Sequence, residues 1–319
     1  MPLQCRILDD YQNVSLSLAD WRSLAPQVEC QALTEHIADE NTLAETLKDA
    51  DIVVIMRERT PFIAALFTRL PKLKLLITSG MRNASIDLAA AKKHGVTVCG
   101  TGSGQSAPVE LTWALILGLA RHLMTENNAF RHNGSWQSTL GFGLSGKRLG
   151  LLGLGKIGQK MAHIAQAFGM DVCAWSQNLT AERAAEQGVT LCASKEELLQ
   201  TSDVVSIHLV LGERTRGLLG AQELAQMKPS ALLINTSRAA IVDQPALLSA
   251  LQKGVIAGAG LDVFDVEPLP ADHPFRTQPN VLATPHLGYV SDGNYQVYFT
   301  EAVEDIQAFL AGKPVRVLE

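Results

Sequence analysis

A glycine-rich turn in mid-chain leaves few folds open to this sequence. Gly153-Leu154-Gly155-Lys156-Ile157-Gly158 has the spacing G-x-G-x-x-G. The apolar run 149–152 precedes it, a helical pattern over 156–168 follows, and a further strand-like run at 171–175 arrives where a βαβ unit needs one. The first glycine permits a sharp turn from strand to helix. The second lets the backbone approach a pyrophosphate, and the third lets helix and strand pack closely. The freed N–H groups and the positive end of the helix dipole then attract the anion. The hexamer alone is weak evidence; its setting makes it a dinucleotide-binding signature.

Strand-like and helical runs alternate on both sides of this turn. The first third offers strands at 5–8, 28–33, 51–56, 73–78 and 96–99, with helices at 42–48, 61–68 and 86–94. The second series offers 149–152, 172–175, 189–192, 204–208, 231–235 and 257–262, with 281–283 as an edge strand. Such alternation predicts an α/β chain with parallel sheets covered by helices on both faces. A length of 319 residues suits two domains. Between the series, 108–124 reads as one long apolar helix and 133–147 as a Gly-rich, polar arm. The stretch 290–310 reads as helix without strands of its own, so it is expected to return to the first domain. The division expected is 1–101 plus 286–319 for a discontinuous substrate domain and 102–285 for a Rossmann cofactor domain, with the active cleft between them.

Several function classes drop out. The net charge is -5 and no Lys/Arg run builds a basic face, so nucleic acid is not an expected partner. The longest apolar run starts near Leu111 and meets Arg121 too soon to span a bilayer, and no secretory leader is apparent. Cys5, Cys30, Cys99, Cys173 and Cys192 are scattered, with no C-x-x-C, as expected of free thiols in a cytoplasmic protein. The histidines lack metal-ligand spacing, so no metal is expected, and no G-x-S-x-G nucleophile elbow occurs. The segment 141–148 begins like an NTPase phosphate loop, but Arg148 stands where a magnesium-binding hydroxyl is needed, and a strand follows rather than precedes it.

The ribose position is irregular. A carboxylate for the ribose 2′-OH is expected about twenty residues past the turn. Trp175 is followed instead by Ser176, Gln177 and Asn178, and Arg183 lies further on. The choice between NAD and NADP stays open.

Four polar residues interrupt apolar strand ends in the second series: Arg238, Asp262, Glu267 and His286. Ligands of doubly wound sheets bind outside the carboxyl ends of strands. With the mid-chain glycine turn, His208, Ile234-Asn-Thr-Ser-Arg-Ala-Ala-Ile-Val-Asp243, Gly260-Leu-Asp-Val-Phe-Asp-Val-Glu-Pro268 and Thr284-Pro-His-Leu-Gly288, the sequence resembles the D-isomer-specific 2-hydroxyacid dehydrogenases over nearly its whole length. Ala239 and Val210 depart from the family's usual Gly and Pro.

The resemblance implies an NAD(P)-dependent oxidoreductase acting on a small 2-hydroxy or 2-oxo acid. Arg238 would hold the substrate carboxylate, His286 would act as general acid and base, and Glu267 would orient it. Gly153, Gly155, Lys156, Ile157, Gly158, Ser176, Gln177, His208, Thr236, Ser237 and Asp262 would line the cofactor, with Asp262 near the nicotinamide carboxamide. Arg57 and the loop Ser79-Gly80-Met81, continuing to Arg82, would bind the substrate anion, the loop through backbone N–H groups. A homodimer joined through 108–147 is expected by the same resemblance. The competing reading is a nicotinamide-sensing binding protein of the same fold without significant turnover.

Overall fold

The computed structural model describes residues 1–104 and 106–319. It divides into two compact units, residues 1–104 with 291–319 and residues 105–290. The stretch 286–290, expected in the discontinuous unit, stays with the larger one. Asp262 holds it there, accepting the N–H groups of Leu287 and Gly288.

The smaller unit is built on five parallel strands: β1 (Leu3–Ile7), β2 (Val28–Ala32), β3 (Ile52–Ile55), β4 (Leu75–Thr78) and β5 (Thr97–Gly100). Their order is β2-β1-β3-β4-β5, the flavodoxin-like arrangement, whose switch point lies between β1 and β3. Every residue of β3 and β4 is buried, as the predominantly apolar runs of a sheet covered on both faces should be. The helix Glu40–Leu47 starts at Asp39, whose carboxylate accepts the Thr42 N–H at 2.7 Å, and it turns Leu43, Ala44 and Leu47 inward. The terminal helix Asp292–Leu310 belongs to this unit, burying Tyr298, Phe299, Ala302 and Ile306.

The larger unit carries seven parallel strands: β6 (Arg148–Leu152), β7 (Asp171–Trp175), β8 (Thr190–Leu191), β9 (Val204–Ile207), β10 (Leu232–Asn235), β11 (Gly258–Leu261) and β12 (Val281–Ala283). The order β12-β11-β10-β9-β6-β7-β8 puts β6, the strand leading into the glycine turn, between β9 and β7, where the winding direction reverses. Because all strands are parallel, their carboxyl ends share one edge of the sheet.

One expected element is corrected. The apolar stretch 108–124 is not a single helix: Ser106–Ala120 ends before His122, which takes φ +50°, and a second helix runs Leu123–Arg131. A left-handed residue cannot continue a right-handed helix. The composition changes at the same place: the first helix buries Val109, Trp113 and Ile116, whereas no residue of the second is buried. Among the described residues no helix is long and apolar enough to cross a membrane.

Candidate active site

The glycine turn has the geometry its spacing implied. Gly153 adopts φ +101°, and a Cβ there would lie 2.5 Å from the His208 carbonyl oxygen. A Cβ on Gly158 would collide with the Gly153 carbonyl, so helix and strand meet backbone to backbone. Gly155 faces open space, and a Cβ there would have nothing within 4 Å of it. The first turn of Lys156–Ala167 presents the N–H groups of Lys156, Ile157 and Gly158 ahead of the bond from Gln159 N–H to Gly155 O. An open cradle of helix N–H groups at the end of β6 fits a dinucleotide pyrophosphate.

Three strand ends carry the polar residues expected from sequence. Beyond β12, Thr284-Pro285-His286 turns sharply, with His286 at φ +53°. Its Nδ1 lies 2.6 Å from Glu267 Oε2, and the other Glu267 oxygen accepts the Phe264 N–H at 2.8 Å. Nε2 is therefore the ring nitrogen left to exchange a proton. The Tyr289 ring meets the imidazole edge-on, with centroids 5.2 Å apart.

Asp262, directly after β11, is fully buried. Its Oδ1 accepts from Thr284 Oγ1 at 2.5 Å and from Leu287 N–H at 2.7 Å, while Oδ2 accepts the Gly288 N–H at 2.8 Å. Burial pushes this carboxyl above the usual range despite those hydrogen bonds. Both of its oxygens are thus committed to the turn that bears His286. Sequence reasoning assigned Asp262 to the cofactor alone and missed both this bracing and Tyr289. The alternation of polar and apolar residues gives no sign of which turns a carboxylate will tie together.

Beyond β10, Arg238 caps a short 3-10 helix, Ala239–Ile241. Its Nη1 donates to Ser237 O at 2.8 Å. The preceding turn is fixed by Asn235, which accepts the Ser237 N–H and donates to Arg238 O, each at 3.0 Å. Ser237 Oγ donates to Ile207 O at 2.7 Å, and Thr236 Oγ1 pairs with Thr112 Oγ1 at 2.8 Å. After β9, His208 Nε2 lies 2.8 Å from Ser206 Oγ. Desolvation holds its pKa down to about 4, so the ring is neutral at physiological pH.

In the smaller unit, Arg57 follows β3 in a left-handed conformation (φ +53°) and donates its N–H to Ser79 Oγ at 2.9 Å. Its guanidinium lies against Gly80, where any side chain would collide with it. The loop's amides are not all open. Ser79 N–H donates to Ile55 O and Gly80 N–H to Thr101 Oγ1, which leaves the Met81 N–H without an acceptor among the described residues. Arg82 is exposed. Nearby, buried Asp9 binds His36 Nδ1 at 2.8 Å and Thr60 Oγ1 at 2.7 Å, a cluster sequence reasoning did not find. No group of three metal-ligating residues occurs among the described residues.

A glycine turn at the switch point of a parallel sheet, with an Arg, a Glu–His pair and a buried Asp on the same edge, defines a dinucleotide-dependent oxidoreductase. Residues 113–288 match the family described as D-isomer specific 2-hydroxyacid dehydrogenase, NAD binding domain. The chain is 38% identical over 265 residues to D-3-phosphoglycerate dehydrogenase of Bacillus subtilis, covering 82% of this chain but only 50% of that protein. It is 37% identical over 282 residues to glyoxylate reductase of Aeropyrum pernix, covering 85% of this chain and 83% of that one. A solved phosphoglycerate oxidoreductase from Vibrio cholerae superposes with TM-score 0.92 at 39% identity, over 97% of this chain and 99% of that one. The chain belongs to the D-isomer-specific 2-hydroxyacid dehydrogenase family.

Proposed function

We propose that this protein interconverts a small 2-oxo acid and its 2-hydroxy acid, with Arg238, Glu267 and His286 as the working residues. The observation that carries this reading is the 2.6 Å pair between His286 and Glu267, at the same sheet edge as the glycine turn. The bound nicotinamide supplies or accepts the hydride. Arg238 holds the substrate carboxylate and polarises the carbonyl through its forked donors. In reduction, His286 gives its Nε2 proton to the carbonyl oxygen, which becomes the hydroxyl; in oxidation it takes that proton back. Glu267 fixes the ring orientation and stabilises the imidazolium.

His208, Thr236, Ser237, Ser176 and Gln177, with the turn Gly153–Gly158, line the cofactor in this reading. Neutral His208 serves as a hydrogen-bonding wall rather than a proton carrier. Arg57 and the open Met81 N–H contribute to anion binding in the smaller unit, which is the substrate domain in this assignment.

The assembly is a homodimer joined through the segment after Ala120. Leu123, Met124, Phe130, Trp136 and Leu140 are all exposed there, an apolar group that a second copy would cover. A monomer by light scattering would remove that part. The cytoplasm is the location that suits the five free thiols.

The test is absorbance in the reduced-nicotinamide band, with purified protein, NADH or NADPH, and a panel including glyoxylate, hydroxypyruvate and larger or phosphorylated 2-oxo acids. Oxidation of either cofactor by a member of the panel is expected. Tight cofactor binding without turnover on any acid would favour the sensing protein instead.

A further inference from the structure

The end of β7 carries a charge arrangement that the proposed chemistry does not use. Trp175 O accepts the Gly153 N–H at 2.9 Å, so the residues leaving β7 lie beside the phosphate cradle. In this fold the adenosine ribose rests at that strand end, where an acidic side chain normally accepts its hydroxyls. Here the positions are Ser176, Gln177 and Asn178, which are neutral hydrogen-bonding groups.

The neighbouring loop completes the picture. It leaves β9 on the far side of β6 and reaches past the carboxyl end of β6 towards β7. There Arg214 Nη1 donates to Gln177 Oε1 at 3.3 Å. The loop that delivers it is braced internally. Thr215 Oγ1 donates to Val210 O at 2.7 Å and accepts the Gly212 N–H at 2.9 Å. Gly217 N–H is held by Ala240 O at 2.8 Å. A guanidinium therefore stands at the ribose position, brought from 37 residues away. One of its five N–H donors is engaged by Gln177, and among the described residues the others make no hydrogen bond that would keep them from an anion.

We propose that Arg214, with the Ser176 hydroxyl and the Gln177 side-chain amide, binds the 2′-phosphate of NADP and makes the phosphorylated dinucleotide the preferred cofactor. The inference rests on the dinucleotide-binding role proposed above and sharpens it. A carboxylate at this strand end would accept the 2′-OH and repel a phosphate. A guanidinium beside a hydroxyl and an amide reverses that preference. The phosphate monoester carries about -1.5 to -2 charges at neutral pH, so its recognition is charge-assisted.

Calorimetric titration of the full chain with NADPH and NADH, at fixed ionic strength, tests this without any turnover. The wild type should bind NADPH about 10–100-fold more tightly than NADH, the worth of one or two charge-assisted hydrogen bonds at a partly exposed site. Arg214→Ala, a change at an exposed loop position, should weaken NADPH about tenfold and NADH less than twofold. Ser176→Asp should reverse the preference. Adenosine 2′,5′-bisphosphate should compete better than 5′-AMP against the wild type, and lose that advantage in Arg214→Ala. Equal or tighter binding of NADH by the wild type would overturn the proposal and leave the dehydrogenase reading standing. An NADPH preference unchanged in Arg214→Ala would overturn the role of that residue. No binding of either nicotinamide would instead overturn the dinucleotide-binding reading itself.

Discussion

Replacing Asp262 by Asn tests whether the buried carboxylate positions His286, the proposed acid–base group. The Asp262 side chain accepts three hydrogen bonds, from Thr284 Oγ1, Leu287 N–H and Gly288 N–H. Asn keeps a single oxygen. Placed to retain the first two donors, it turns its NH₂ group towards the Gly288 N–H. One bond is then lost and a buried donor stands unpaired, at a cost of about 1–3 kcal/mol. The two surviving bonds lose their ionic character, about 1 kcal/mol more. Taking about 3 kcal/mol as the strain on the 284–288 turn, and about 1.36 kcal/mol per tenfold in rate, turnover should fall roughly 10²-fold. Thr284→Val removes only the hydroxyl donor and should cost roughly fivefold by the same conversion, from about 1 kcal/mol. Steady-state kinetics in the reduced-nicotinamide band give kcat, and fluorescence titration gives cofactor Kd. A positioning role predicts that kcat falls in both variants while cofactor Kd changes several-fold at most. An Asp262→Asn enzyme with kcat within threefold of wild type, or one whose whole defect lies in cofactor Kd, would refute the argument.

Three further outcomes are expected. His286→Gln should retain cofactor binding and lose about 10²–10⁴-fold in turnover, because Gln cannot carry the proton; near-normal turnover would sink the general acid–base assignment. Gly158→Ala should push its methyl into the Gly153 carbonyl, lowering thermal stability by about 1–3 kcal/mol and weakening cofactor affinity, as calorimetry can check. Asp305 is fully buried beside Arg316, and desolvation pushes its pKa up to about 7. A raised folded-state pKa means that the protonated form is favoured on folding. Its contribution is therefore full below about pH 4 and lost progressively as pH rises to about 7, a fall of at most about 4 kcal/mol. Urea denaturation across that range should show the decline in the wild type and not in Asp305→Asn.

The alternation of apolar runs and the mid-chain glycine turn determined the α/β class, all twelve strand positions and the place of the dinucleotide cradle. These are local signals: a strand buried on both faces is predominantly apolar, and a sharp strand-to-helix turn must carry small residues. Arg238, Glu267 and His286 stood out as polar residues after apolar strand runs, while the roles proposed for them came from the family resemblance. The sequence misread 108–124 as one helix, because apolar periodicity does not register a single left-handed residue such as His122. Only the tertiary structure showed that both oxygens of Asp262 are spent on the His286 turn and that the Ser79 and Gly80 amides are already committed. Only the strand order β9-β6-β7 brought Arg214 onto Gln177. Contacts of that kind join residues far apart in sequence, and which pairs meet depends on how strands are ordered in the sheet, a choice that no local run of residues records.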